Sequence, residues 1–139
     1  FAWRKLKAEV FKQQLDTELQ IFGYDISESN LDIARDNITQ LRMHKDIRLA
    51  PADFLQLTPP VERGMVMINP PYGERLRKVN VSELYKNIGN TLKHRFSGFE
   101  AWIISSDLDA MKNIGLKPYR KYTLYNGKLE CRLHAFRMF

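Results

Sequence analysis

An asparagine, two prolines and a tyrosine, Asn69-Pro70-Pro71-Tyr72, close the apolar run Met65-Val66-Met67-Ile68. Four apolar residues in a row predict a buried strand, and the proline pair ends it abruptly. Proline fixes φ and lacks a backbone donor, so neither Pro70 nor Pro71 extends a central ladder. Pro71 also biases Pro70 toward an extended backbone, which leaves carbonyls pointing outward at the strand tip. Asn69 Oδ1 and the Pro70 carbonyl can both accept hydrogen bonds from an amino group, and Tyr72 offers a face for stacking. This set suits an exocyclic amine on a planar base taken out of its stack, its lone pair held toward an incoming electrophile. No strong base is needed, because the amine can lose its proton after the new bond forms. A plain element-ending turn is the competing reading of Pro70-Pro71; Asn69 before the pair and Tyr72-Gly73 after it tell against that reading.

The elements that would carry this turn are legible on both sides of it. Residues 2–15 predict a helix, with Trp3, Leu6 and Val10 on one face and no Gly or Pro. Gln20 to Ile26 reads as a short strand. Ser27 or Ser29 is placed to cap a helix through Leu41, with Leu31, Ala34, Ile38 and Leu41 aligned. Ile47 to Ala50 is the next strand, Thr58-Pro59-Pro60 a loop, and the strand before Asn69 follows. Val81 to Phe96 predicts a helix with Leu84, Ile88, Leu92 and Phe96 at four-residue steps, and Ala101 to Ser105 a second buried strand. Tyr119–Tyr125 and Lys128–Phe136 flank Asn126-Gly127, a strong hairpin signal. This alternation predicts one α/β domain over residues 1–139: a mostly parallel sheet, helices on both faces, and a C-terminal antiparallel hairpin. In such open sheets ligands sit at the carboxyl ends of the strands.

Composition narrows the partners. With 139 residues, 44% hydrophobic and 12% aromatic, the chain can bury a core, and no apolar run approaches membrane-spanning length. Cys131 is the single cysteine, which excludes an internal disulfide and suits a reducing cytoplasm. His44, His94 and His134 are scattered without metal-ligand spacing, so no metal site is expected. The net charge of +6 is uneven: residues 1–71 carry 9 Lys+Arg against 10 Asp+Glu, residues 72–111 carry 6 against 5, and the last 28 residues carry 7 against 1. A basic C-terminal end suits a polyanion such as RNA, against the alternative of a merely solvated face.

Asn69-Pro70-Pro71-Tyr72 resembles the signature of S-adenosylmethionine-dependent enzymes that methylate exocyclic nitrogens. The longer form, Ile68 through Leu76 with Gly73-Glu74-Arg75, is similar to the THUMP-associated 23S rRNA guanine-N2 methyltransferases, which often carry the label of N6-adenine-specific DNA methylases. The resemblance implies a Rossmann-like class I methyltransferase fold and S-adenosylmethionine as cofactor. It implies a substrate-handling set of Asn69, Pro70, Pro71 and Tyr72, and cofactor contacts at Asp25, Ile26, Asp53, Phe54 and Asn69. Asp25 ends a strand before a helix, where an acidic side chain binds ribose hydroxyls in dinucleotide-type folds; a helix cap is the alternative. Asp53 stands where the family's acidic residue meets the adenine amine, and Phe54 beside it either covers the adenine ring or packs in the core. Beyond the turn, Glu74 can accept from guanine N1 or N2, and Arg75 and Lys78 can meet RNA phosphates, with surface solvation as the alternative for each.

The family's opening strand and Gly-rich turn have no counterpart here, since the seven glycines are dispersed. The chain therefore reads as part of a longer catalytic domain whose first, central strand is missing, and self-association is one way to cover the resulting sheet edge. Two other functions fit the same residues. Adenine-N6 methylation of DNA or RNA needs the same turn, and a non-catalytic RNA-binding module needs only the basic hairpin.

Overall fold

The computed structural model describes residues 2–13, 19–71 and 80–139. The chain divides into two compact units, Phe1–Pro51 and Ala52–Phe139.

The first unit holds α1 (Ala2–Lys12), β1 (Ile21–Asp25), α2 (Glu28–Gln40) and β2 (Ile47–Pro51). β1 and β2 pair in parallel from Ile21–Ile47 to Asp25–Pro51, and a parallel pair needs a crossover, which α2 supplies. Ser27 caps α2, its side chain accepting from the Asn30 N–H, and Leu31 is the residue of α2 that becomes fully buried. Of the expected apolar face, Ala34 and Ile38 are half-buried and Leu41 is exposed. The stripe predicted for α1 is present but uncovered: Trp3, Leu6 and Val10 are all exposed.

In the second unit a 3₁₀ turn (Phe54–Gln56) precedes β3 (Gly64–Ile68), α3 (Val81–Arg95), β4 (Phe99–Ser105), α4 (Leu108–Lys112), β5 (Arg120–Asn126) and β6 (Leu129–Arg137). The sheet order is β3-β4-β6-β5. β3 and β4 run parallel, whereas β6 is antiparallel to both its neighbours. The two antiparallel ladders belong to the predicted C-terminal hairpin and its junction with β4. Gly127 at φ 63° makes the tight reversal that sends β6 back alongside β5.

The core of this unit lies on one face of the sheet. Tyr85, Ile88 and Leu92 of α3, the Phe96 that caps it, and Ala110 and Met111 of α4 pack on Ala101, Ile103 and Phe136. β4 alternates buried and half-buried positions along its length, and β3 alternates exposed and half-buried ones. Val66 and Ile68 pack against the core, while Met65 and Met67 remain 62% and 68% exposed. The apolar run of β3 is therefore buried on one side instead of two, because α3 and α4 share a single face.

On the other face, near the start of β4, Glu100 takes hydrogen bonds from the Tyr119 hydroxyl and from Trp102 Nε1 at 2.6 Å. The Arg137 guanidinium lies over the Tyr119 ring, 4.4 Å from its centroid. The Tyr119 hydrogen bond above all, then that of Trp102 and the charges of Arg137 and Arg120, hold the Glu100 carboxyl below its ordinary range. A carboxyl depressed by folding contributes stability above its unfolded pKa and loses it as pH falls through the folded value. Glu100→Gln is accordingly expected to melt lower than wild type at neutral pH and to show a flatter acid limb. Thermal melts from about pH 7 down to about pH 3, spanning the carboxylate range, check this; parallel curves would refute it.

Candidate active site

β3 delivers the Asn-Pro-Pro turn to one edge of the sheet. Its register with β4 runs from Gly64–Phe99 to Ile68–Ile103, so both strands finish on the same side, and β4 continues only to Ser105. Alternation along a strand sends Val66 and Ile68 toward α3 and their neighbours away from it. The turn carries this alternation forward: Pro70 is buried and Asn69 exposed. A ring anchors the backbone while the amide beside it faces solvent, which is the arrangement a substrate-gripping amide requires.

Ser105 closes β4 at this edge and is fully buried. Its Oγ accepts from the Asp107 N–H at 3.0 Å and shares a 2.7 Å hydrogen bond with the Tyr85 hydroxyl. Asp107 in turn caps α4 by accepting from the Ala110 N–H at 2.8 Å, and Asn80 caps α3 by accepting from the Glu83 N–H. A polar strut inside an apolar core thus ties the first turns of α3 to the end of β4, beside the turn that both elements flank. Sequence reasoning did not single out Tyr85 or Ser105; the polar run Ser105-Ser106-Asp107 at a strand end was the available signal.

The predicted cofactor residues fall in both units. In the first, Asp25 ends β1 with Oδ1 accepting from the Ser27 N–H at 2.8 Å and Oδ2 from Asn30 Nδ2 at 3.3 Å. It therefore supports the strand-to-helix junction whatever else it binds, and Ile26 next to it is 78% exposed. In the second, exposed Asp53 caps the 3₁₀ turn, Oδ1 accepting from the Leu55 N–H at 2.9 Å. Phe54 stacks on Phe96 with centroids 5.4 Å apart, so part of its ring is committed to the core. The 3₁₀ turn is further tied to α3 by Arg95 Nη1 donating to the Gln56 carbonyl at 2.6 Å. Tyr72, Glu74, Arg75 and Lys78 lie outside the described residues.

Residues 1–135 match the family model described as the RMKL-like, methyltransferase domain. The chain belongs to this methyltransferase family. A ribosomal RNA large subunit methyltransferase K/L of Shewanella loihica is 33% identical over 139 residues, covering 96% of this chain and 20% of that protein. Members of the RMKL-like family named in this way are thus about five times longer than the chain, which spans about one fifth of their length. A protein of Clostridium difficile 630 solved as "a possible methylase" superposes with a TM-score of 0.84 at 31% identity, over 99% of this chain and 37% of that one. SMU.472, solved in complex with S-adenosylhomocysteine, superposes with a TM-score of 0.84 at 28% identity, over 98% of this chain and 36% of that one. The fold is that of the Rossmann-like α/β methyltransferases, as the Ile68–Leu76 signature implied.

Proposed function

We propose that this chain is the substrate-handling part of an S-adenosylmethionine-dependent methyltransferase. It acts on an exocyclic amine of a ribosomal RNA base, with guanine N2 in 23S rRNA as the target. One observation carries the reading: exposed Asn69 stands beside buried Pro70 at the carboxyl end of β3. The names of the RMKL-like relatives support rRNA as substrate, and the S-adenosylhomocysteine in SMU.472 supports the cofactor. A cytoplasmic enzyme follows from that substrate.

The donor and acceptor chemistry of the chain fits this cofactor. Among the described residues Asp53 takes one protein hydrogen bond, through Oδ1, which leaves Oδ2 to accept from an adenine amine. A carboxylate offers about four lone-pair sites, so Asp25 keeps acceptor capacity for ribose hydroxyls after its bonds to Ser27 and Asn30. Ile26 and Phe54 supply apolar surface beside the two acids. The cofactor, when bound, supplies the methyl group. Asn69 Oδ1 and the Pro70 carbonyl accept from the amine and aim its lone pair, Pro71 stiffens the turn, and Tyr72 stacks on the base. Glu74 accepts from the guanine edge, while Arg75 and Lys78 meet phosphates. Fixed orientation of the amine, rather than a strong base, provides most of the acceleration.

Incubation of the full-length protein with unmodified rRNA or with DNA, followed by nucleoside analysis, tests the proposal. N2-methylguanosine from rRNA is the expected product. N6-methyladenosine from either substrate would replace guanine by adenine as the target. Salt-dependent RNA binding with neither methyl transfer nor S-adenosylhomocysteine binding would reduce the protein to an RNA-binding module.

A further inference from the structure

The β5–β6 hairpin outruns the rest of its sheet. The last β4–β6 pair is Ser105–Arg132, yet β5 and β6 continue through Leu124–Cys131, Tyr125–Glu130 and Asn126–Leu129. At about 3.4 Å per residue, three further pairs carry the hairpin tip roughly 10 Å past the end of β4. That end is the edge from which Asn69 and Pro70 emerge, because β3 and β4 run parallel and finish together.

The residues on this overhang and on the hairpin just behind it are of two kinds. Tyr125 is 69% exposed, and Lys128 stands exposed in the turn. One pair back from Tyr125–Glu130 on the same face is Thr123–Arg132, and one pair further Lys121–His134. Arg132 is held along the hairpin, with Nη2 2.7 Å from Glu130 Oε1 and Nη1 donating to Thr123 Oγ1. Glu130 is the single acidic residue of the last 28, and Arg132 already engages it. Among the described residues neither Lys121 nor Lys128 forms an ion pair. The local potential is positive enough that Lys121 and Arg132, after burial itself, push the His134 imidazole below its ordinary pKa.

We propose that this overhang is a docking surface for single-stranded RNA next to the target base. Tyr125 is a stacking platform for a flanking base, Lys128 at the tip contacts the phosphates beside it, and Arg132 and Lys121, further back along the hairpin, contact the backbone that follows. Stacking on an exposed ring is tolerant of sequence and cationic side chains track the backbone, so together they hold a strand in place while the Asn-Pro-Pro turn selects the base. The choice of RNA as occupant rests on the methyltransferase reading; the shape of the surface and its charge do not.

Fluorescence anisotropy of the full-length protein with a short labelled single-stranded RNA of mixed sequence, at rising salt, tests this. Tyr125→Ala should weaken binding by about 5- to 100-fold, while Tyr125→Phe, which keeps the ring, binds like wild type. The double variant Lys121→Ala/Lys128→Ala should reduce the slope of log Kd against log salt by about 1.4, at about 0.7 per lost phosphate contact on a single strand. S-adenosylhomocysteine affinity should be the same in all of them. The inference is overturned if Tyr125→Ala and the double lysine variant bind RNA within about twofold of wild type, or if Tyr125→Phe loses as much as Tyr125→Ala. A wild-type protein that transfers no methyl group, yet binds RNA through the hairpin, would sink the enzymatic reading and leave the docking surface standing.

Discussion

Asn69→Ala in the full-length protein is expected to lower methyl transfer by about 100- to 1,000-fold in kcat, the usual cost of removing one preorganised polar partner from a reacting group. The loss should fall on turnover rather than on RNA affinity, because the amide grips only the amine while phosphates and stacking surfaces hold the strand. Stability should hardly change: Asn69 is exposed and makes no hydrogen bond among the described residues. Steady-state kinetics with a thermal melt of the same sample separate these effects. Turnover like that of wild type would remove Asn69 from the chemistry. A fall in melting temperature that matched the activity loss would make its role structural.

The second large effect is expected inside the core, at Gly89. This residue lies in the middle of α3, where glycine costs about 1 kcal/mol relative to alanine, so helix propensity alone favours Gly89→Ala. The packing decides otherwise. A Cβ at Gly89 would stand 1.9 Å from the Ile114 carbonyl oxygen and 2.8 Å from its carbon. Ile114 is buried in the same core as Ile88, Leu92 and Met111, so its backbone cannot retreat without opening voids around those side chains. Overpacking costs about 1–3 kcal/mol and sometimes more, and a backbone obstacle this close belongs at or above the top of that range. The urea midpoint of Gly89→Ala should fall well below wild type. Asn90→Ala, one residue on and exposed, should leave it unchanged or slightly raised. A Gly89→Ala midpoint at or above wild type would refute the close approach of α3 to Ile114.

What could be read in advance followed from local physics. Ser27 caps its helix and Asn126-Gly127 turns the hairpin because each acts through its own backbone neighbourhood. The helix predicted over Val81–Phe96 agrees to one residue with the observed Val81–Arg95, since its four-residue apolar step is a property of the segment itself. What stayed hidden depends on distant partners. β4 starts at Phe99, two residues before Ala101, because Phe99 finds Gly64 across the ladder. α4 has five residues, too few to display a helical period. Met65 and Met67 read as buried because apolarity records what a side chain tolerates, not which face a helix covers. At the candidate site the turn residues were legible as a motif. The Tyr85–Ser105 strut joins residues twenty apart, so the polar run Ser105-Ser106-Asp107 marks only one of its ends, and the hairpin overhang follows only from knowing where β4 stops.

Cys131 has a consequence of another kind. It is the single cysteine of the chain, it sits in β6 opposite Leu124, and it is 0% exposed. A thiol reagent cannot reach it while the hairpin stays folded on its sheet, so modification must wait for that region to open. The rate of native-state labelling is then a clock for the opening itself, read without an introduced probe. Run with and without RNA, the same clock would tell whether a strand lying across the overhang keeps the hairpin shut.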